Sequence, residues 1–377
     1  MDLFKDSISF HKKHRGKISV KSRMPIKNRR TLSLAYTPGV GAVSRAIAGN
    51  KKLAKEFTIK NNSVAVISDG SSVLGLGNIG PEAAIPVMEG KAALFNEFAG
   101  IDAFPICLKT QDVEEIIMII KNITPVFGAI NLEDISAPRC FEIEERLRAE
   151  LDIPVMHDDQ HGTATVVLAG LINSLKLRKL KPEEARVVIN GGGAAGTAIT
   201  NILLSYGIND VVVCDTKGAI YAGREGLNPE KVRLAKVTNK KGLKGSLSDV
   251  LHGAHVFIGV SVANLVTKEM VQSMEKSPII FAMANPVPEI MPDVAKSAGA
   301  FIVATGRSDF PNQVNNVLAY PGIFRGALDN KITQFKNEMF VRAAENLARI
   351  TKNRSVDKIL PDVFDKQVVR AIAKAIK

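Results

Sequence analysis

The stretch RVVINGGGAAGTAITNILLSYGINDVVVCD, residues 186–215, indicates the fold of the second half of this chain. An apolar run at 186–190 is followed by the glycine pattern G-x-G-x-x-G at 191–196, which opens a predicted helix. A second apolar run then ends at Asp215. A buried strand, a glycine turn, a helix and a further strand in this order are the fingerprint of a Rossmann-type dinucleotide-binding unit.

The glycine turn is expected to place a pyrophosphate on the backbone N–H groups at the start of the helix. The residues predicted to do so are Gly191, Gly192, Gly193, Ala194, Ala195 and Gly196. Asp215 lies 19 residues after Gly196, where a carboxylate accepts a hydrogen bond from the ribose 2′-hydroxyl and repels a 2′-phosphate. The pattern therefore predicts NAD as the cofactor. NADP remains possible because Lys217 is close enough in sequence to weaken that repulsion.

Apolar runs and helical spacing alternate along most of the chain, which predicts an α/β protein with mostly parallel sheets. In the first half, strands are predicted at 64–68, 103–108, 126–132 and 154–157, with helices at 82–99, 113–123 and 139–151. A predicted helix at 162–180 precedes the second group of strands, at 186–190, 210–215, 256–260, 279–284 and 300–305.

These elements predict three segments. We expect an N-terminal α/β domain with a parallel sheet over residues 1–161, which would hold the metal and the substrate. A Rossmann-type NAD(P)-binding domain is expected over residues 162–310. The C-terminal segment, residues 311–377, is expected to complete the substrate cleft and to return its helices to the first domain.

Composition and charge exclude several classes of protein. Hydrophobic residues make up 46% and charged residues 23% of the 377 residues, a balance typical of a globular protein. No apolar stretch approaches the ~20 residues that span a bilayer, and no secretory signal is seen, so we expect no membrane partner. Three scattered cysteines argue against a disulfide framework and favour the cytoplasm.

The net charge of +12 raises the question of nucleic-acid binding. Residues 1–30 hold ten Lys or Arg against two acids, so about +8 of the charge lies there and the rest of the chain is close to balanced. Tryptophan is absent and aromatic residues amount to 5%, whereas nucleic-acid surfaces combine cations with stacking aromatics. We therefore expect no nucleic-acid partner.

A second G-x-G-x-x-G match, Gly75–Gly80, lacks the context of a dinucleotide turn. Six residues separate it from the preceding predicted strand, and Asp102 precedes a strand instead of ending one. Pro81 and Pro86 are expected to break the helix that follows. We expect an active-site or turn loop here, and a plain glycine-rich crossover is the alternative.

Two pairs of adjacent acids, Glu133-Asp134 and Asp158-Asp159, each follow a predicted strand. Ligands collect at the carboxyl ends of parallel strands, and carboxylate clusters suit hard cations such as Mg²⁺ or Mn²⁺. Helix caps and loop acids are the alternative for either pair. His157 and His161 are four residues apart, but His157 ends a strand, so a zinc pair on one helix face is not expected.

Several longer motifs together resemble the compact prokaryotic malic enzymes. They are SLAYTPGV (33–40), SDGSSVLGLGNIGPEAAIPVMEGKAALF (68–95), NLEDISAPRCFEIEERL (131–147), HDDQHGTA (157–164), ANPVPEIMP (284–292) and TGRSDFPNQVNNVLAYPGIFRGALD (305–329). The resemblance implies oxidative decarboxylation of L-malate to pyruvate and CO₂, with NAD or NADP and a divalent cation. It also implies a homodimer or a larger homo-oligomer.

The resemblance implies roles for individual residues. Tyr36 matches the general acid and Lys91 the general base. Asp158 matches a neighbouring acid that tunes Lys91 or orients the site. The expected ligands of the Mg²⁺ or Mn²⁺ ion are Glu133, Asp134 and Asp159. Contacts with the substrate or the nicotinamide are expected from Lys91, Asn285, Asn315 and Asn316.

Two positions depart from the family pattern. Ser72 stands where larger members have a substrate-binding arginine, and Gly192 stands where many have alanine. Two other functions remain as alternatives at this point. One is a Rossmann dehydrogenase of another hydroxy or amino acid that does not decarboxylate, and the other is a nucleotide-sensing or RNA-binding protein without turnover.

Overall fold

The computed structural model describes residues 3–377 and contains two sheets. Their strands are β1 (Ser63–Ser68), β2 (Asp102–Cys107), β3 (Ala129–Leu132), β4 (Val155–His157), β5 (Arg186–Asn190), β6 (Asp210–Asp215), β7 (Gly218–Ala219), β8 (Val256–Gly259), β9 (Ile279–Ala282) and β10 (Ile302–Thr305). The sequence predicted these strands except β7, which is two residues long and carries no periodicity.

Sixteen α-helices surround the sheets in the described residues. They are α1 (Leu3–His14), α2 (Arg29–Ala35), α3 (Val40–Gly49), α4 (Ala54–Phe57), α5 (Pro81–Ala99), α6 (Val113–Ile123), α7 (Arg139–Glu150), α8 (Asp158–Arg178), α9 (Ala194–Tyr206), α10 (Pro229–Val237), α11 (Leu247–Leu251), α12 (Lys268–Ser273), α13 (Pro292–Ser297), α14 (Tyr320–Asp329), α15 (Asn337–Ile350) and α16 (Gln367–Ala373). None of the helices described is long and apolar enough to cross a bilayer.

The first sheet has four parallel strands in the order β2-β1-β3-β4. Helices α5, α6 and α7 make the crossovers between them, as parallel pairing requires. Strand β1 is fully buried because its side chains, Val64 to Ile67, face helices on both sides of the sheet.

The second sheet has the order β10-β9-β8-β5-β6-β7 and is parallel except for β7. The chain first moves outward from β5 to β6 and then returns to place β8 on the other side of β5. This reversal between β5 and β8 is the point at which open α/β sheets bind ligands. Both sheets confirm the predicted α/β fold with a Rossmann-type second half.

Helix α8 joins the two sheets. Fifteen of its 21 residues are buried, and the apolar core around it is continuous from the first sheet, at Val64, to the second, at Val187. The helix begins at Asp158, directly after β4, whereas the sequence predicted a start at residue 162. The predicted domain division at 161/162 falls inside this helix and stays a prediction.

The C-terminal helices return to the first sheet, as predicted. On α14, Phe324 packs edge-on against Phe95 of α5 at a ring separation of 5.3 Å. Arg325 of the same helix donates a hydrogen bond to Asn62, just before β1. These contacts attach the C-terminal segment to the helix layer that covers β1.

Helix α5 runs unbroken through both prolines, so the expectation that they interrupt it is wrong. Pro81 is the first helical residue, where no intrahelical hydrogen bond to its nitrogen is needed. Pro86 costs one backbone hydrogen bond. Burial of Ala84 and Met88 on the core-facing side of the helix offsets that loss.

The N-terminal arm, residues 3–62, contains helices α1 to α4 and has no buried residue. More than half of the large exposed apolar side chains of the described chain lie in it. Lys17 donates a hydrogen bond to the carbonyl of Pro86, and Arg23 pairs with Asp102 at the edge strand β2. The arm is therefore held against α5 and β2 by polar contacts while its apolar side chains face outward.

Candidate active site

Three acids meet where β3 and β4 end. Carboxylate oxygens of Glu133, Asp134 and Asp159 lie within 4.8 Å of one another. Asp159 is in the first turn of α8, and its Oδ2 accepts a hydrogen bond from the backbone N–H of Asp134 at 2.9 Å. Asp134 adopts a positive φ of 54°, a backbone strain that non-glycine residues tolerate mainly at functional sites.

The electrostatics of this group fit a hard cation. Burial and the neighbouring carboxylates raise the pKa of Glu133 well above its ordinary value and that of Asp134 to about 8. Oδ2 of Asp134 is buried and has no hydrogen-bond partner among the described residues. Oxygen donors that repel one another match the ligand preference of Mg²⁺ or Mn²⁺. Their role as ligands stays a prediction.

Lys91, on α5, is buried next to the acids. Its Nζ lies 2.5 Å from Oδ2 of Asp158 and 2.7 Å from Oε1 of Glu133. It also lies 4.3 Å from the centre of the Tyr320 ring. Burial disfavours the charge on Lys91, but the two carboxylates outweigh it and hold its pKa well above the ordinary value.

Asp158, the first residue of α8, connects Lys91 to the C-terminal segment. Nδ2 of Asn316 donates a hydrogen bond of 2.6 Å to the same Asp158 oxygen that contacts Lys91. Burial, partly offset by Lys91, raises the pKa of Asp158 to about 6. Gly162 lies one turn along α8, and a Cβ there would come within 1.8 Å of Oδ1 of Asp158. The absence of a side chain at Gly162 therefore leaves room for the carboxylate.

Tyr36 is not part of this cluster. Tyr36 lies on the N-terminal arm and is 67% exposed. The tyrosine beside Lys91 is Tyr320. Burial raises the pKa of Tyr320, whose hydroxyl has no hydrogen-bond partner in the described structure. Asn315 uses its side-chain oxygen to accept from the N–H of Val317, which is a local cap. The proposed roles of Tyr36 and Asn315 stay predictions.

The glycine turn has the geometry of a pyrophosphate site. Gly191 has a φ of 123°, and a Cβ at Gly196 would lie 1.7 Å from the Gly191 carbonyl oxygen. Gly193 precedes the first turn of α9 without any side-chain cap, and a Cβ there would meet open space. The first N–H groups of α9 are therefore left to a ligand. A Cβ at Gly192 would meet the Ile220 side chain at 3.2 Å.

Asp215 ends β6, as predicted, but two cations hold its carboxylate. Oδ2 accepts hydrogen bonds from Arg224 and, at 2.7 Å, from Lys231. Although burial opposes it, these bonds lower the pKa of Asp215 to about 2. Lys217 binds Oδ1 through its backbone N–H. The side chains that offset the charge of Asp215 are therefore those of Arg224 and Lys231, whereas Lys217 was the residue expected from the sequence. Sequence periodicity could not connect Arg224 and Lys231 to Asp215.

The first glycine pattern faces the second domain. A Cβ at Gly75 would lie 2.0 Å from the carbonyl oxygen of Asn285. The Asn285 side chain in turn lies against Gly306. Ala194, in the first turn of α9, packs against the core of the first sheet. The backbone N–H of Ser72, just before this loop, donates to the carbonyl of Asp134. Segment 72–80 therefore contacts both Asn285 and one of the three acids. Its role as an active-site loop stays a prediction.

Sequence reasoning missed two buried carboxylates near the site. Glu289 accepts from the N–H groups of Ser261 and Ala284, and so joins the loops after β8 and β9. Glu144, on α7, contacts His157 and His161 at the start of α8. The apolar neighbours of Glu289 are a weak sequence signal, whereas Glu144 lies among the charged residues of α7 and has none. The histidines themselves do not form a zinc site: His157 is buried in β4, and His161 stacks on Phe340.

Comparisons with known proteins agree with the geometry. The malic enzyme N-terminal domain family matches residues 15–148, and the malic enzyme NAD-binding domain family matches residues 160–377. A bifunctional malic/malolactic enzyme of Bacillus subtilis is 56% identical over the whole chain and 92% of its own length. An NAD-dependent malic enzyme of Geobacillus stearothermophilus is 55% identical over 96% of this chain and 76% of its own.

A solved structure and a longer relative extend the comparison. The crystal structure of an NAD-dependent malic enzyme from Thermotoga maritima has a TM-score of 0.95 and 49% identity, covering 98% of both chains. An NADP-dependent malic enzyme of Escherichia coli is 44% identical over 96% of this chain. This chain spans 50% of the length of that relative.

Proposed function

The chain belongs to the malic enzyme family, and from that premise we propose how its cleft performs the oxidative decarboxylation of malate to pyruvate and CO₂. It is an oxidoreductase dependent on NAD or NADP. The observation that carries the proposal is the burial of Nζ of Lys91 between two carboxylates beside a cluster of three acids. A dehydrogenase that does not decarboxylate has no need of such a cluster.

The cation is held, in this proposal, by Glu133, Asp134 and Asp159. Bound there, Mg²⁺ or Mn²⁺ supplies stabilisation of negative charge on the oxygens of the substrate. The buried, unpartnered oxygen of Asp134 supports this assignment. Asn131 donates to Oε2 of Glu133, which is the kind of hydrogen bond that orients a ligating carboxylate.

In this proposal Lys91 accepts the hydroxyl proton of malate, and Asp158 positions Lys91. Burial opposes the charge on Nζ of Lys91, but the carboxylates of Asp158 and Glu133 outweigh burial and keep Nζ charged. A cation held by Glu133 would take up part of the charge of that carboxylate. The pKa of Lys91 would then be lower, in the direction that lets Nζ accept the hydroxyl proton of malate. Asp158 and Asn316 keep the lysine in position during that exchange.

Further contacts with the reactants are proposed for three residues. Asn285 lies against Gly75 and Gly306, and we propose that it contacts the substrate or the nicotinamide. Asn315 sits next to Asn316, and we propose the same for it. Tyr36 is proposed as the acid that protonates carbon 3 of the product enolate, which requires the N-terminal arm to be ordered against a cleft.

We propose NAD as the preferred cofactor, with NADP also accepted. We propose that the carboxylate of Asp215 accepts from the ribose 2′-hydroxyl through Oδ1, the oxygen that Arg224 and Lys231 do not contact. Arg224 and Lys231 offset the negative charge that a 2′-phosphate would meet. The glycine turn, Gly191 to Gly196, binds the pyrophosphate of either dinucleotide.

The active form is proposed to be a homodimer or a larger homo-oligomer. A stable single chain rarely exposes as much apolar surface as the N-terminal arm does. A second copy of the chain would bury that surface, as obligate homo-oligomers do. The cytoplasm is the proposed location, in keeping with three unpaired cysteines. Malate is the proposed partner, and no role in nucleic-acid or membrane binding is proposed.

The test measures reduced nicotinamide by absorbance with L-malate, Mn²⁺ and either NAD or NADP, and assays pyruvate and lactate in the same sample. We expect reduced cofactor and pyruvate in equal amounts, and loss of both with EDTA. Lactate is included because one relative is named a bifunctional malic/malolactic enzyme. Reduced cofactor without pyruvate would replace the proposal by the simple dehydrogenase that the sequence left open.

A further inference from the structure

The first turn of α8 presents two faces with different tasks. Asp158 and Asp159 face the catalytic cleft, where they contact Lys91 and the N–H of Asp134. The next two residues, Gln160 and His161, face the other way, toward α7. The exact position of this single turn therefore sets the position of two of the acids at the cation site.

No side chain of the turn itself caps the start of the helix. His157 precedes the helix in the capping position, but its side chain makes no capping hydrogen bond. Both of its ring nitrogens are buried without a hydrogen-bond partner in the described structure, and Nδ1 lies 3.7 Å from Oδ2 of Asp159. A helix start usually relies on such a cap, which contributes about 0.5–2 kcal/mol. The start of α8 is instead contacted by a residue from outside the helix.

Glu144 of α7 contacts the start of α8 from outside the helix. Its Oε1 accepts from the backbone N–H of His157 at 3.1 Å and lies 3.0 Å from Nε2 of His161. Its Oε2 accepts from Nε2 of Gln160 at 2.9 Å. One carboxylate, 5% exposed, thus binds both sides of Asp158 and Asp159 in sequence. Its negative charge also stands at the positive end of the helix dipole.

Hydrogen bonds, and not close packing, hold this carboxylate. A cavity of about 430 Å³ opens beside it and is lined by Glu144, Glu145, Gln160 and His161. A change of chemistry at Glu144 that keeps its shape would therefore leave the core packing intact. Because the cavity lies on the α7 side of the turn, Glu144 does not itself reach the acids of the cleft.

We propose that Glu144 is a positioning residue that fixes the first turn of α8, and through it Asp158 and Asp159, in the geometry that binds the divalent cation. This inference rests on the proposed function, because it presumes a cation at Glu133, Asp134 and Asp159. Glu144 acts on the turn through its contacts with His161 and Gln160. Residues that orient metal ligands from behind typically change metal affinity by about 10- to 100-fold when replaced.

The test replaces Glu144 by glutamine and measures Mn²⁺ binding to the full-length protein by electron paramagnetic resonance, without substrate or dinucleotide. We expect the Kd for Mn²⁺ to rise at least about tenfold. The Kd for NAD should stay within about twofold of that of the unaltered protein. Glu145→Gln, on the same helix and lining the same cavity, is the matched control and should leave both values unchanged.

Two variants of His161 separate positioning from general stability. Glutamine can place a donor near the position of Nε2, so His161→Gln should retain Mn²⁺ affinity, whereas His161→Ala should lose it. A fall in melting temperature for Glu144→Gln with unchanged Mn²⁺ affinity would overturn the inference and leave Glu144 as a helix cap only. If the unaltered protein bound no Mn²⁺, the proposed function would fail instead, so the two failures are distinguishable.

Discussion

Lys91 illustrates how burial and neighbouring charges compete at a single side chain. A lysine on a helix is ordinarily exposed, yet this one is 7% exposed and lies against two carboxylates and an aromatic ring. The ion pairs make burial of the charge tolerable and keep its pKa high. Because Glu133 contributes to this high pKa, any cation that bound Glu133 would lower the pKa of Lys91.

Replacement of Lys91 by alanine tests its proposed role. We expect malate oxidation to fall by about 10²- to 10⁴-fold, the usual contribution of a general acid–base group, while the Kd for NAD is unchanged. Steady-state rates and equilibrium titration with NAD check the two expectations. Lys121→Ala, at an exposed ion pair with Glu150, is the control. Near-normal turnover of the Lys91 variant would remove it from the mechanism.

Asp215 gives a prediction about cofactor choice. In Asp215→Ala, the ribose hydroxyl loses its acceptor while Arg224 and Lys231 become free to bind a 2′-phosphate. We expect KM for NAD to rise about tenfold, in line with the loss of a charged hydrogen bond, and KM for NADP to fall or stay unchanged.

The other end of β6 supplies the control for that prediction. Asp210 is likewise held by an arginine and a lysine, Arg186 and Lys241, but lies away from the glycine turn. Asp210→Ala should leave the ratio of the two KM values unchanged. Equal increases for NAD and NADP in the Asp215 variant would show that this carboxylate does not read the ribose.

The acid cluster predicts how a cation affects stability at different pH. The pKa of Asp134 is about 8 in the folded protein and about 4 in an unfolded chain. Between these values the folded state holds a proton that the unfolded state has released, so metal-free protein loses stability as pH rises from about 4 to about 8. A cation relieves the repulsion only where the acids are ionised.

Melting curves with and without Mn²⁺ measure this effect. We expect the ion to raise the melting temperature more at pH 8 than at pH 5, because protons compete with it at the lower pH. Asp134→Asn should remove most of the difference between the two pH values. The same increase at both pH values in the unaltered protein would contradict the raised pKa.

At the scale of elements, the start of α8 decides where the acids stand. The helix begins directly after β4, so two residues of the HDDQH motif, Asp158 and Asp159, occupy its first turn. Helix α5 approaches the same point with Lys91 and is tied to α14 through aromatic contacts. Lys91 of α5 and Asn316, which lies just before α14, thus both contact the carboxylate of Asp158 at the start of α8.

Gly162→Ala tests the importance of this packing. Alanine favours a helix over glycine by about 1 kcal/mol, so the helix itself should not suffer. A Cβ at this position would clash with Oδ1 of Asp158, so we expect kcat to fall at least about tenfold without unfolding. Gly49→Ala, on α3, where a Cβ meets no atom within 4 Å, serves as the control. Unchanged kcat with a raised melting temperature would show that Asp158 can move aside freely.

At the scale of the whole molecule, the N-terminal arm is the part that we propose is covered by a second copy of the chain. Its charged residues bind α5 and β2, while apolar residues such as Val20 and Leu34 point outward, at 94% and 66% exposure. A protein surface of this kind is normally covered by another chain. Tyr36 lies on the same arm, so assembly and catalysis are linked if it is the general acid.

Replacement of Val20 and Leu34 by aspartate tests the assembly. We expect the variant to sediment as a monomer at concentrations at which the unaltered protein is oligomeric, because two charges would have to be buried at the interface. Its malate oxidation should fall with dissociation. Val294→Asp, an exposed apolar position on α13, is the control. An unaltered mass would show that the arm does not form the interface.

Much of the fold follows from local pattern. The glycine turn, the apolar strands and the helical spacing between them specify two parallel sheets, because a strand buried on both faces needs an apolar run and a glycine turn needs Gly191 and Gly196. The acids at the strand ends are also visible in sequence, since parallel strands end on one edge. Local rules failed at Pro86, where tertiary burial outweighs a lost hydrogen bond.

By itself, the sequence determined the α/β class, the dinucleotide turn and the types of residue available for chemistry. Only the tertiary structure decided that Asp215 is clamped by Arg224 and Lys231, that Glu144 holds the start of α8, and that Tyr320 lies beside Lys91. The reason is physical. Periodicity and turn chemistry act over a few neighbouring residues, whereas burial and the pKa values it produces depend on groups that the folded chain brings together from remote positions.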